Sequence, residues 1–173
     1  MYDRILLPTD GGETTARALE HATDIAVTYD AAVHVLYVMD KAIFASDVET
    51  GPVREQIEIV GDRVLEVVSS RAAEAGVDPV VTHLARGSAH ETILEYADEE
   101  AIDLVVMGTH GRTGLNRFLV GSVTEKVVRL SEVPVLSVRL PEGEAPENTI
   151  ADLVTDADGS VESGDDATAG DGS

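Results

Sequence analysis

Ile102-Asp-Leu-Val-Val-Met107 runs directly into Gly108-Thr-His-Gly111-Arg112-Thr-Gly114-Leu-Asn-Arg117-Phe-Leu-Val-Gly121-Ser122, and then into Val123-Thr-Glu-Lys-Val-Val-Arg-Leu130. The first run is short, apolar and rich in β-branched residues, as a buried strand is, and the last spaces its apolar residues for one face of a helix. A strand that empties into a glycine-rich loop and then a helix is a physical recipe for holding phosphate. Glycine lets the backbone turn with positive φ and come close to a ligand. Successive loop N–H groups form an anion-binding concavity, and the new helix adds its unsatisfied N–H groups and the positive end of its dipole.

Working outward, the same alternation recurs along the chain. Strands are expected over 3–9, 32–38, 78–85, 102–107 and 133–138, and helices over 14–29, 53–75, 89–100 and 123–130. The run Ala32-Val-His-Val-Leu-Tyr-Val38 is nearly all apolar, the pattern of a strand covered on both faces. Gly76 is placed to end the second helix. Ser88 with Glu91, and Ser122 with Glu125, have capping-box spacing. Pro134 near the start of the last strand points to an edge or a strand terminus. Five strands alternating with helices predict an α/β fold, a five-stranded parallel open sheet with helices on both faces. Right-handed crossovers gather the strand-to-helix loops at one end of such a sheet, where ligands sit. Two of those loops carry suitable chemistry: Pro8-Thr-Asp-Gly-Gly12 and the glycine loop from Gly108.

Composition sets the outer limits. The 173 residues include 33 acidic and 12 basic side chains, net −21, and no cysteine. Disulfides and thiolate metal sites are therefore excluded. No segment has the length and apolarity of a membrane helix, and the N-terminus reads as a strand and not as a signal peptide, so a soluble cytoplasmic protein is expected. A chain this acidic repels nucleic acid and anionic membranes, so neither is an expected partner. Scarce lysine, abundant acid and many small residues resemble the proteins of a salt-loving (halophilic) archaeon, in which salt screens the self-repulsion; an ordinary acidic cytosolic protein has similar features. Residues 1–140 read as one domain. From 141 to 173 the chain holds ten acidic and no basic residues, and this tail is expected to be disordered. Ile150, Leu153 and Val154 alone are spaced for a docking turn.

The phosphate patterns separate cleanly. Lys41 and Lys126 follow acidic residues, so there is no Walker Gly-Lys-Ser/Thr, and only Gly11-Gly12 stands where a dinucleotide fingerprint would begin. What is present is Gly108-x2-Gly111-x9-Gly121-Ser122. That spacing resembles the universal stress proteins of the UspA type, specifically their ATP-binding subgroup. Pro8-Thr9-Asp10, Gly-Arg-Thr-Gly-Leu at 111–115 and Val-Pro-Val-Leu-Ser-Val at 133–138 carry the same resemblance, which covers residues 1–140.

The resemblance implies a Rossmann-like fold of the adenine nucleotide alpha hydrolase-like kind and a set of nucleotide-binding roles. Pro8, Thr9 and Asp10 would line the adenosine end, the Asp10 carboxylate suiting a ribose hydroxyl. Val38 would pack near adenine, and Met107 and Gly108 would line the cleft. Gly111, Arg112, Gly121, Ser122, Val123 and Thr124 would surround the phosphates. The ligand would be ATP, or AMP or ADP, with Mg2+ carried by the triphosphate. The resemblance also implies a homodimer paired through strand 133–138, acting on an unknown regulated protein. Plainer roles stay open beside these: Ser122 as a helix cap, Asp10 as a cap for residues 12–13, Arg112 and Arg117 as solvated charges, Val38 and Met107 as core.

His110 has no partner that would make it catalytic, and His21, His34, His83 and His90 lack metal-ligand spacing, so neither a catalytic residue nor a metal site is assigned. His-x-Gly-His, Lys-Met-Ser-Lys-Ser and Ser-Gly-Gly-x-Asp-Ser, signatures of adenylyl-transferring relatives, do not occur. The expected function is an ATP-binding regulatory module of the stress response with little or no hydrolysis. A slow ATPase of the same fold and a structural dimer with an empty loop are the alternatives.

Overall fold

The computed structural model describes residues 1–12, 14–40, 51–109 and 120–139. The expected strands form as β1 (Arg4–Thr9), β2 (Ala32–Asp40), β3 (Val80–Gly87), β4 (Leu104–Gly108) and β5 (Val135–Val138). They alternate with α1 (Thr15–Tyr29), α2 (Gly51–Glu74), α3 (Ala89–Glu99) and α4 (Ser122–Leu130). All neighbouring strands are parallel, in the order β3-β2-β1-β4-β5.

Alternation along the strands divides the core into two layers. Ile5, Leu7, Val33, Val35 and Val106 face α1 and α2, whose inner faces supply Ala18, Leu19, Ala22, Val64, Leu65 and Val68. Leu6, Leu36, Val105 and Met107 face the other way, onto Ile93 and Tyr96 of α3 and Val127 of α4. Strands sandwiched like this must be apolar at nearly every position, which is why β1, β2 and β4 read as unbroken apolar runs. Complete burial of each leucine is worth roughly 1.5–3 kcal/mol relative to exposure.

Boundaries shift where proline intervenes. The ladders of β3 and β5 begin at Val80 and Val135, one residue after Pro79 and Pro134, which have no N–H to give. Both proline carbonyls still accept, from Val33 and Val105 respectively. The edge position expected for the last strand is the one observed. α2 starts at Gly51, two residues earlier than the apolar pattern indicates, because Pro52 is tolerated in a first turn. Gly76 closes that helix with φ 95°.

The amino end of the sheet is tied by one side chain. Asp103 Oδ2 accepts the backbone N–H groups of Asp3 (2.8 Å) and Arg4 (2.9 Å). The Arg4 guanidinium donates to the Glu100 carbonyl, and the Asp103 N–H to the Arg4 carbonyl. No helix among the described residues is long and apolar enough to cross a membrane. Residues 41–50, the acidic tail and its Ile150, Leu153 and Val154 lie outside the described residues.

Candidate functional site

Strand order reverses between β1 and β4, and the crevice outside the carboxyl ends of two such strands is where open parallel sheets bind ligands. On either flank the ladders run to the strand ends: β1 pairs with β2 up to Thr9 and Tyr37, and β4 with β5 up to Gly108 and Val138. Across the reversal the pairs are Ile5 with Leu104 and Leu6 with Val105, and both strands run on beyond them. The paired stretch across the reversal is therefore shorter than on either flank, and it stops before the end of the sheet that carries the two loops.

The β1 lip is built from its own hydroxyls and carboxylate. Thr9 Oγ1 lies 3.0 Å from Thr15 Oγ1 and accepts the Gly11 N–H at 3.0 Å. Asp10 Oδ1 accepts the Gly12 N–H at 2.8 Å. Gly11 needs glycine's freedom, with φ 74°. Thr14, not Asp10, is the N-cap of α1, so the Asp10 carboxylate shapes the loop and does not cap the helix. A carboxylate has about four lone-pair sites, and the bond to Gly12 takes one of them.

The β4 lip is tied differently. The Thr109 N–H donates to the Val138 carbonyl, and the Gly121 N–H to the Thr109 carbonyl at 2.7 Å. These bonds bring residues 109 and 121 together and set the start of α4 beside the end of β4. The Thr124 hydroxyl donates to the Gly108 carbonyl at 2.8 Å. A hydroxyl has one proton, so this side chain serves the strand and has none to offer a phosphate. Thr9, Thr14, Thr15, Thr109 and Thr124 are all buried, so a polar lining sits where the layered core is otherwise apolar. Each hydroxyl placed there needs a partner, and none of the described buried side-chain polar atoms lacks one.

The expected site residues thus fall into groups. Pro8, Thr9 and Asp10 lie at the end of β1, and Met107 and Gly108 at the end of β4, on the two sides of the seam. Gly121, Ser122, Val123 and Thr124 form the helix start beside it. Val38 is half-buried in β2 against the same core layer as Met107 and Val123. Gly111, Arg112, Gly114, His110 and Arg117 lie outside the described residues.

Two capping expectations are corrected. Gly121 is the N-cap of α4 and Ser122 its first helical residue, with no side-chain cap bond, so the Ser122–Glu125 box does not form. Exposed Ser122 leaves its hydroxyl at the mouth of the site. Ser88 does stand at the N-cap of α3, but its Oγ lies 3.0 Å from His90 Nδ1 in place of a helix N–H. Gly121 has φ −60° and ψ 148°, open to any residue, so a positive φ is not what selects glycine there.

Away from the crevice, His34 of β2 is buried, with Nδ1 3.0 Å from the Tyr96 hydroxyl, and the His83 ring lies against Tyr96. Burial holds the His34 pKa below its ordinary value, with the Glu100 charge opposing and the Arg4 charge adding to the lowering. Burial likewise raises that of Tyr96. Thr15 and Thr109 have structural roles at the site that no sequence pattern marked.

The chain resembles known proteins along nearly the whole of this fold. Universal stress protein MJ0531 of Methanocaldococcus jannaschii is 37% identical over 147 residues, covering 83% of this chain and 86% of that protein. The solved structure of MJ0577 from the same organism superposes with TM-score 0.76 at 31% identity, covering 83% of this chain and 99% of that one. A universal stress protein solved in complex with cAMP superposes with TM-score 0.65 at 26% identity, covering 81% and 99%. The model of the universal stress protein family matches residues 1–139, and with a Rossmann-like sheet split at its strand reversal the chain belongs to that family.

Proposed function

We propose that the chain is an ATP-binding universal stress protein, a homodimeric regulatory module that hydrolyses its nucleotide slowly or not at all. The observation that carries the reading is the β1–β4 strand reversal, where the pairing stops short, with the start of α4 beside it at the glycine spacing 108, 111, 121. The α4 N–H groups, starting after Gly121, fit an anion. Asp10 fits a ribose hydroxyl, and Val38 and Met107 form apolar walls suited to adenine. Gly111 and Arg112 would complete the phosphate end, the guanidinium offsetting charge in a chain of net −21. Mg2+ would come with the triphosphate. That a family member was solved with cAMP supports an adenine nucleotide as the ligand class.

The sequence carries none of the adenylyl-transfer signatures, and any hydrolysis is read as resting on positioning alone. The β5 edge, with Leu136 exposed, is where a second copy would add its strand.

Calorimetry with ATP in molar KCl tests the reading. The wild type should bind in the micromolar range or tighter, and Gly121→Val and Gly111→Val should each lose binding by roughly a hundredfold or more, because a side chain then fills the phosphate's place. Heat from neither ATP nor AMP would remove the reading. Turnover near one per second or faster, ordinary for enzymes, would remove the non-enzyme part.

A further inference from the structure

Pro8 stands inside β1, the central strand of the sheet, where proline is ordinarily excluded because it removes a ladder bond. Its place in the register explains the exception. Along a strand, backbone polar groups point alternately to the two neighbours. The Asp3 carbonyl points to β2, accepting from Ala32, and the Arg4 carbonyl points to β4, accepting from Asp103. Even-numbered positions of β1 therefore face β4, and Pro8 is one of them. The missing N–H is one that would have continued the ladder across the seam.

The observed pairing has this asymmetry. On the β2 side β1 stays in register through Pro8 and Thr9, opposite Leu36 and Tyr37. On the β4 side the pairs end at Leu6 and Val105, one β4-facing position before Pro8. Strand twist alone does not single out this seam, since the β2–β3 and β4–β5 ladders run to the strand ends.

We propose that Pro8 is a positioning residue that stops the β1–β4 ladder and so holds the nucleotide crevice open. The proposal rests on the reading of that crevice as an adenine-nucleotide site. It gives Pro8 a role through the backbone, in addition to any contact of its ring with adenosine.

Full-length Pro8→Val and Pro8→Ala would be compared with the wild type, by amide hydrogen exchange without ligand and by calorimetry with ATP and with adenosine. The new amide at position 8 should be strongly protected, bonded to a β4 carbonyl, and the seam should close. Affinity for both ligands should then fall by roughly tenfold or more. Should Pro8→Val fail to fold, Pro8→Ala carries the same test with a smaller side chain.

Fast exchange at position 8 with lowered affinity would mean that the ring acts by contact alone, and would overturn the proposal. A protected amide with unchanged affinity would overturn it too, since a zipped seam would then not matter to binding. If the wild type binds neither ATP nor adenosine, the nucleotide reading falls and takes the functional half of the proposal with it. Protection at position 8 would in that case still decide whether Pro8 is what opens the seam.

Discussion

The two ends of the sheet solve the same problem in opposite ways. At the amino end, polar groups are satisfied between elements: Asp103 holds the N–H groups of Asp3 and Arg4, and Arg4 reaches back to Glu100. That arrangement draws β1 and β4 together. At the carboxyl end β1 and β4 are tied to their outer neighbours β2 and β5 and to the helices that follow them, Thr9 to Thr15 and Gly108 to Thr124, while their pairing with each other ends at Leu6 and Val105. Ties between β1 and β4 mark the amino end, and their lack beyond Leu6 and Val105 marks the end where the proposed ligand would enter.

Replacing Asp103 with alanine should break this contrast most severely. Two charge-assisted bonds to backbone donors are lost, at a cost of about 2–3 kcal/mol. The denaturation midpoint should drop accordingly while ATP affinity stays within about twofold, because the crevice is at the far end. A large loss of affinity with little loss of stability would show that the two ends are not separable.

Thr124→Val sharpens the contrast from the other side. Leaving the Gly108 carbonyl without its donor should cost about 1 kcal/mol of stability. Because Thr124 sets the start of α4, ATP binding should weaken roughly tenfold in calorimetry while adenosine binding barely changes. Thr124→Ser should restore both. A Ser variant as weak as the Val variant would exclude the hydroxyl as the tie.

The smallest effect is expected at His34, which belongs to neither end. Its folded pKa lies below the ordinary 6.5, so the unfolded chain takes up the proton first as pH falls. Its contribution is complete above about pH 6.5 and is lost as pH drops from there toward the lower folded value. Relative to wild type, His34→Gln should therefore lose less stability between pH 7.5 and pH 5, measured by urea denaturation in constant high salt. Parallel curves for the two proteins would rule out His34 as the sensor.

Much of the fold was legible because it rests on local pattern. The unbroken apolar runs of β1, β2 and β4, and the α1 stripe through Ala18, Leu19 and Ala22, state their burial directly. The place of the candidate site, the loops after β1 and β4, was legible in outline, since glycine spacing and Pro8-Thr9-Asp10 are local too. What failed depended on choosing among partners for a hydroxyl. Ser88 has capping spacing, yet its oxygen is beside the His90 ring, and α4 begins one residue before the pattern implied. The Asp103 tie could not be read at all, because its partners are about a hundred positions away in sequence. Pro8 was visible as a residue, but the side its missing donor faces is a property of the register.

The narrow seam also bears on how the domain comes apart. Strands β3, β2 and β1 form one continuously laddered block and β4 with β5 another. Helix α1 packs into the same core layer as Leu104, Val106 and Val138, so it spans both blocks as a bolt. Opening the joint breaks few ladder bonds but must part α3 from α4 on the other face, and the two blocks are the natural units of sub-global unfolding. A molecule lodged between the lips would clamp the blocks together, turning two loosely cooperative foldons into one.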